Sequence, residues 1–94
     1  MVGVQDFVVK QAAPGVFDVS VAGRSPTTHR VTASEDYVRS LTGGRASGVD
    51  LVRKSFEFLL EREPNTSILR TFDLRVIQQY FPEYEKTVSA AFDE

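Results

Sequence analysis

Ser47-Gly48-Val49-Asp50-Leu51-Val52-Arg53-Lys54-Ser55-Phe56-Glu57-Phe58-Leu59-Leu60-Glu61-Arg62-Glu63-Pro64 decides the fold, because apolar side chains recur in it at helical spacing between a start and a stop signal. Ser47 with an acid three residues on is the Ser-x-x-acid opening of a helix, in which two otherwise unpaired N–H groups are satisfied reciprocally. Pro64 closes it, since its ring clashes with the preceding turn and it has no N–H to donate. The spacing predicts a helix over Val49–Glu63.

At about 100° per residue, Val49, Val52, Phe56, Leu59 and Leu60 share one broad face. Asp50, Arg53, Lys54, Glu57 and Glu61 form an adjoining charged face, where i,i+4 pairing accounts for them. Leu51 and Phe58, seven apart, make a second apolar stripe roughly opposite the edge of the first. A helix with two apolar sides needs two covers. One is expected to be a sheet, and the other a later helix or a second subunit.

Beyond Pro64, Asn65 or Thr66 caps a short turn, and Asp73 caps a helix carrying Leu74, Val76, Ile77, Tyr80 and Phe81. Pro82 breaks that run and restarts the chain, with Glu83 and Glu85 well placed at a helix start and Tyr84, Val88, Ala91 and Phe92 as its stripe. Upstream of Ser47 the pattern changes. Phe7-Val8-Val9 is β-prone, Pro14-Gly15 is a turn, and Val16 to Val21 alternates with Phe17, Val19 and Val21 on one face. After a turn at Gly23–Pro26, His29-Arg30-Val31-Thr32-Ala33 returns as a third strand, and the whole reads as an antiparallel meander. Ser34, followed by Glu35 and Asp36, opens a short helix that Gly43-Gly44 ends.

Ninety-four residues make one domain with a modest core. The absence of cysteine excludes disulfides, thiolate metal sites and cysteine nucleophiles. No apolar run is long enough to span a membrane, and the start of the chain lacks a basic segment followed by an apolar one, so a cytoplasmic location is expected. Net charge is −2, divided as +1 over residues 1–47 and −3 over 48–94, which disfavours a general affinity for phosphate backbones.

The chemistry-bearing patterns are sparse. His29 is the single histidine and starts a strand, where a half-exposed structural role is expected of a lone titratable group. Gly43-Gly44-Arg45-Ala46-Ser47-Gly48 lacks the lysine and the preceding strand of a phosphate-binding loop, and reads as a connector. Helix, turn and helix over 65–81 raise a helix-turn-helix, with Arg70 and Arg75 towards phosphates, but the second helix is too apolar to face bases. Arg24, Arg30, Arg39 and Arg45 lie among Phe7, Phe17 and Tyr37, an arrangement that serves stacking on single strands only where the rings face outward. Seven of the ten aromatics fall between Phe56 and Phe92, a density that exceeds what a small sheet covers and implies a partner if any of it is exposed.

Ser55-Phe56-Glu57-Phe58-Leu59-Leu60-Glu61-Arg62-Glu63-Pro64, with Ser67-Ile68-Leu69, Phe72-Asp73-Leu74, Ile77 and Tyr80-Phe81-Pro82-Glu83-Tyr84, resembles a group of short uncharacterised bacterial proteins. The resemblance covers about the C-terminal half and implies a self-contained bacterial domain with no particular activity.

The expectation is therefore a single α+β domain over residues 1–94, in which a small three-stranded antiparallel sheet is covered by the long helix and the C-terminal helical segments. Its expected role is a non-catalytic protein-interaction or accessory module, meeting a protein partner or a second copy of itself as a homodimer. Leu51, Phe58, Tyr80 and Tyr84 are the candidate interface residues. The alternative is a small nucleic-acid-binding regulatory protein using Arg70 and Arg75. Catalytic residues, metal ligands and a cofactor are not expected.

Overall fold

The computed structural model describes residues 6–93. Strands β1 (Phe7–Ala13), β2 (Val16–Val21) and β3 (Thr27–Thr32) form the antiparallel meander expected from the alternation and from the Pro14-Gly15 turn. Helix α1 (Glu35–Thr42) follows, capped by the Ser34 side chain, which accepts from the Tyr37 N–H at 3.1 Å. Gly43, at φ 66°, ends it in the left-handed conformation that glycine adopts without penalty. Helix α2 (Gly48–Leu60) opens with the capping box read from the sequence, Ser47 Oγ accepting from the Asp50 N–H and the Asp50 carboxylate from the Ser47 N–H.

Helix α2 stops at Leu60 rather than Glu63. Its last turn tightens, with Arg62 N–H and Glu63 N–H both donating to the Leu59 carbonyl, because the residue before Pro64 is pushed out of the helical region. A 3₁₀ turn (Asn65–Ser67) leads to a fourth strand, β4 (Thr71–Asp73), then to α3 (Arg75–Tyr80) and α4 (Tyr84–Ala91).

Strand β4 corrects the expected three-stranded antiparallel sheet: the order is β1-β2-β3-β4, and β4 runs parallel to β3 with Val31 opposite Phe72. The Asp73 side chain accepts from the Arg75 N–H at 3.0 Å, but its backbone is strand and the residue at the helix boundary is Leu74, so the expected cap lies one position before the helix's own N-cap. The stretch 65–81 is thus 3₁₀ turn, strand and helix, which removes the helix-turn-helix on which the nucleic-acid alternative drew.

One sheet face, with Val9, Phe17, Val19, Val21, His29, Val31 and Phe72, is buried. The other carries Lys10, Asp18, Arg30 and Thr28 and faces water, with Arg30 holding Asp18 through two hydrogen bonds of 2.9 and 3.0 Å. Helix α2 lies between the sheet and the remaining helices. Its first stripe meets the sheet, where the Phe56 ring stacks within 5.4–6.2 Å of His29, Phe7 and Phe72.

Its second stripe meets α4. The Phe58 ring stands edge-on to Tyr84 at 5.3 Å and to Phe81 at 5.8 Å, and the Arg62 guanidinium lies 3.6 Å from the ring centre as a cation–π lid. Ser55 belongs to the same stripe and is fully buried. Its hydroxyl donates to the Leu51 carbonyl at 2.8 Å, so the Tyr84 hydroxyl, 2.7 Å away, is the donor to it. Both polar groups are thereby satisfied inside an apolar layer.

Candidate functional site

Of the residues expected at an interface, Leu51, Phe58 and Tyr84 are buried within the chain. Their second stripe is core, covered by α4 and Phe81, and offers no surface to a partner. Burial pushes the Tyr84 phenol up to about 12, in keeping with a neutral donor held to Ser55. Tyr80 is different: it is 68% exposed, and Leu69 nearby in the fold is 50% exposed.

Tyr80 and Leu69 flank a groove of about 280 Å³ between the C-terminal end of α2, the turn before β4, and α3. Its floor is made by the buried side chains of Leu59, Ile68, Phe72 and Ile77. Val76 and Phe81 are half-buried in its wall. The polar contributors are few: Glu63, Ser67 and the Tyr80 hydroxyl. Glu63 is half-buried, forms no ion pair among the described residues, and burial raises its carboxyl above the ordinary glutamate range.

Local sequence explains this shape. Ile68 and Phe72 turn inward on either side of Leu69, and the Leu69 carbonyl is held in the core by His29 Nδ1 at 2.7 Å. With its backbone anchored inward, Leu69 presents its side chain outward. A carbonyl can only accept, so Nδ1 carries the proton, and Nε2 accepts from the Thr27 hydroxyl at 2.8 Å. Thr27 in turn accepts from the Asn65 amide at 2.9 Å, and that amide also donates to the Ser25 carbonyl at 2.8 Å. His29 is fully buried, and burial foremost, then Arg70, holds its proton affinity below the ordinary histidine value despite the Leu69 bond. Both ring nitrogens are committed to structure, as the lone strand histidine was read, but the ring is fully buried where a half-exposed position was expected. Its hydroxyl partner Thr27 is buried and already accepts from Asn65, so the pair sits inside the core and not in an open cleft.

The arginines are dispersed. Arg30 is bound to Asp18, Arg39 to Asp36, Arg45 to the Phe92 carbonyl and Asp93, and Arg75 to Asp73. Arg70 is exposed. Phe17 faces the core and Phe7 packs against it, while Tyr37 is half-buried with its hydroxyl donating to Glu85 at 2.9 Å. Of these arginines only Arg30 lies on the outer sheet face, and Phe7 and Phe17 are turned away from it. No group of three or more His, Asp or Glu converges as a metal site among the described residues.

Two further surfaces are less suited to binding. A concavity of about 300 Å³ beside the start of α2, lined by Gln11, Phe17, Glu35, Arg39, Thr42 and Ser47 among others, is as polar as it is apolar and lacks an exposed apolar rim. Strand β1 is a sheet edge, but Lys10 and the register break between Gln11 and Ala13 are features that discourage another strand from adding there.

The groove could not have been found from periodicity. Leu69 lies outside any regular element, and its exposure is set by the His29 bond forty residues away. No helix among the described residues is long and apolar enough to cross a membrane. Compared with protein-family models, with curated proteins and with solved structures, the chain finds no match.

Proposed function

We propose that this chain is a non-catalytic protein-interaction module, and that the Leu69–Tyr80 groove is the face on which a protein partner docks. The observation that carries the reading is the exposure of Leu69 and Tyr80 on either side of a floor of Leu59, Ile68, Phe72 and Ile77. Clustered apolar groups of this kind around a preformed groove are what an apolar segment from another protein needs. At about 280 Å³ the space falls at the lower edge of small-molecule sites and suits a few inserted side chains. The alternative of a nucleic-acid-binding regulator has less support, because Arg30, Arg39, Arg45 and Arg75 already sit against acceptors.

Photo-crosslinking tests the reading. A benzophenone side chain at position 80 should give a discrete protein adduct in cells, lost when Leu69→Asp is added. The same group at the outward Thr28 should give none. Equal labelling from both positions, or none from position 80, would refute docking in the groove. Light scattering across a concentration series then tells whether the partner is a second copy.

A further inference from the structure

The groove's one carboxylate says what kind of segment enters it. Glu63 lines the groove beside the apolar floor, is partly withdrawn from water, and forms no ion pair among the described residues. Its neighbour Arg62 does not serve it. That guanidinium lies over the Phe58 ring and bonds the Phe58 carbonyl, Glu61 and Glu83. Ser67 and the Tyr80 phenol add hydroxyls and no charge.

A carboxylate in such a place loses hydration with nothing of opposite sign to replace it, and any apolar occupant that closed the groove would deepen the loss. An occupant that brings a cation to Glu63 recovers it. Resting on the docking reading above, we propose that the groove recognises an aliphatic cation: a partner segment that places an apolar side chain on the Leu59–Ile68–Phe72–Ile77 floor and a lysine or arginine against Glu63. A cation at that point would also draw the raised Glu63 titration back down.

The probes are three six-carbon compounds, hexylammonium, 1-hexanol and hexanoate, titrated into the whole chain with amide NMR shifts of Glu63, Leu69 and Tyr80 as the readout. Hexylammonium should bind about two- to fivefold more tightly than hexanol, the range of a half-exposed ion pair, and hexanoate more weakly than both. In Glu63→Gln the advantage of hexylammonium over hexanol should vanish while hexanol binding stays, with unchanged shifts elsewhere showing that the variant is folded. Equal binding of hexanol and hexylammonium to the unaltered chain would overturn the cation proposal and leave the apolar docking face standing. Failure of all three compounds to shift these amides would overturn both.

Discussion

Acidification should weaken this protein through His29, and the effect can be isolated by comparing the natural chain with His29→Gln. In the fold the ring is neutral, donating from Nδ1 to the Leu69 carbonyl and accepting at Nε2 from Thr27. A second proton would force Nε2 to donate to a hydroxyl that already accepts from Asn65, and would leave the Thr27 hydrogen without its acceptor. The folded ring therefore resists protonation, while an unfolded histidine takes its proton near the ordinary value of about 6.5. Because the folded-state value is lowered, the unfolded chain binds the extra proton first, and the stability contribution is present above about pH 6.5 and lost as pH falls below it. One proton limits the slope to about 1.4 kcal/mol per pH unit, or up to about 2 kcal/mol between pH 6.5 and 5. That is a sizeable share of the roughly 5–14 kcal/mol usual for a domain of this length. Glutamine keeps a donor and an acceptor but cannot titrate, and the carboxylates are common to both proteins. Urea unfolding at about half-unit pH steps should show the natural chain's advantage over His29→Gln shrinking below about pH 6.5. An advantage that stays constant down to about pH 4.5 would refute the neutral, doubly bonded ring.

Phe58→Ala should destabilise the monomer by about 3–5 kcal/mol in urea unfolding, since it empties the space between Phe81, Tyr84 and Arg62. Unchanged monomer stability would restore Phe58 to an interface. Tyr84→Phe should cost about 1–2 kcal/mol by thermal or urea unfolding, because the buried Ser55 oxygen loses its donor. Gly48→Ala should be destabilising by about 1–3 kcal/mol despite alanine's better helix propensity, as its methyl would stand 2.5 Å from the buried Phe17 ring. A stabilised Gly48→Ala protein would mean that Phe17 moves aside without penalty.

What the sequence made legible is what short-range physics decides. Ser34 and Ser47 cap where they were read to cap, because a hydroxyl reaches an N–H three residues away whatever the rest of the chain does. The alternation in Val16–Val21 fixed which side of β2 is inside, and the seven-residue spacing of Leu51 and Phe58 correctly showed that α2 buries two sides. Strand β4 was illegible for the opposite reason. Three residues, Thr71-Phe72-Asp73, carry no period, and their extended form comes from the bonds that Arg30 N–H gives to the Arg70 carbonyl at 2.7 Å and Leu74 N–H gives to the Thr32 carbonyl at 2.9 Å. Those partners come from a strand about forty residues upstream, and a parallel pairing needs that separation to exist at all.

The candidate site obeys the same division. An apolar stripe says that a side chain must be covered but not by what, so Leu51, Phe58, Tyr80 and Tyr84 were indistinguishable as interface residues until Phe58 and Tyr84 were seen packed on each other and Leu51 buried within the chain. The rim of the groove is set by polar anchors instead. His29 ties the Leu69 backbone to β3, and Asn65 ties the turn before it to Ser25 and Thr27. Because the Leu69 carbonyl is committed to the buried imidazole, the side chain stays outside at no loss of hydrogen bonding, and the groove stands open before any occupant arrives. On the docking proposal, a partner would bind without the cost of ordering this loop, which favours affinity from a small apolar surface.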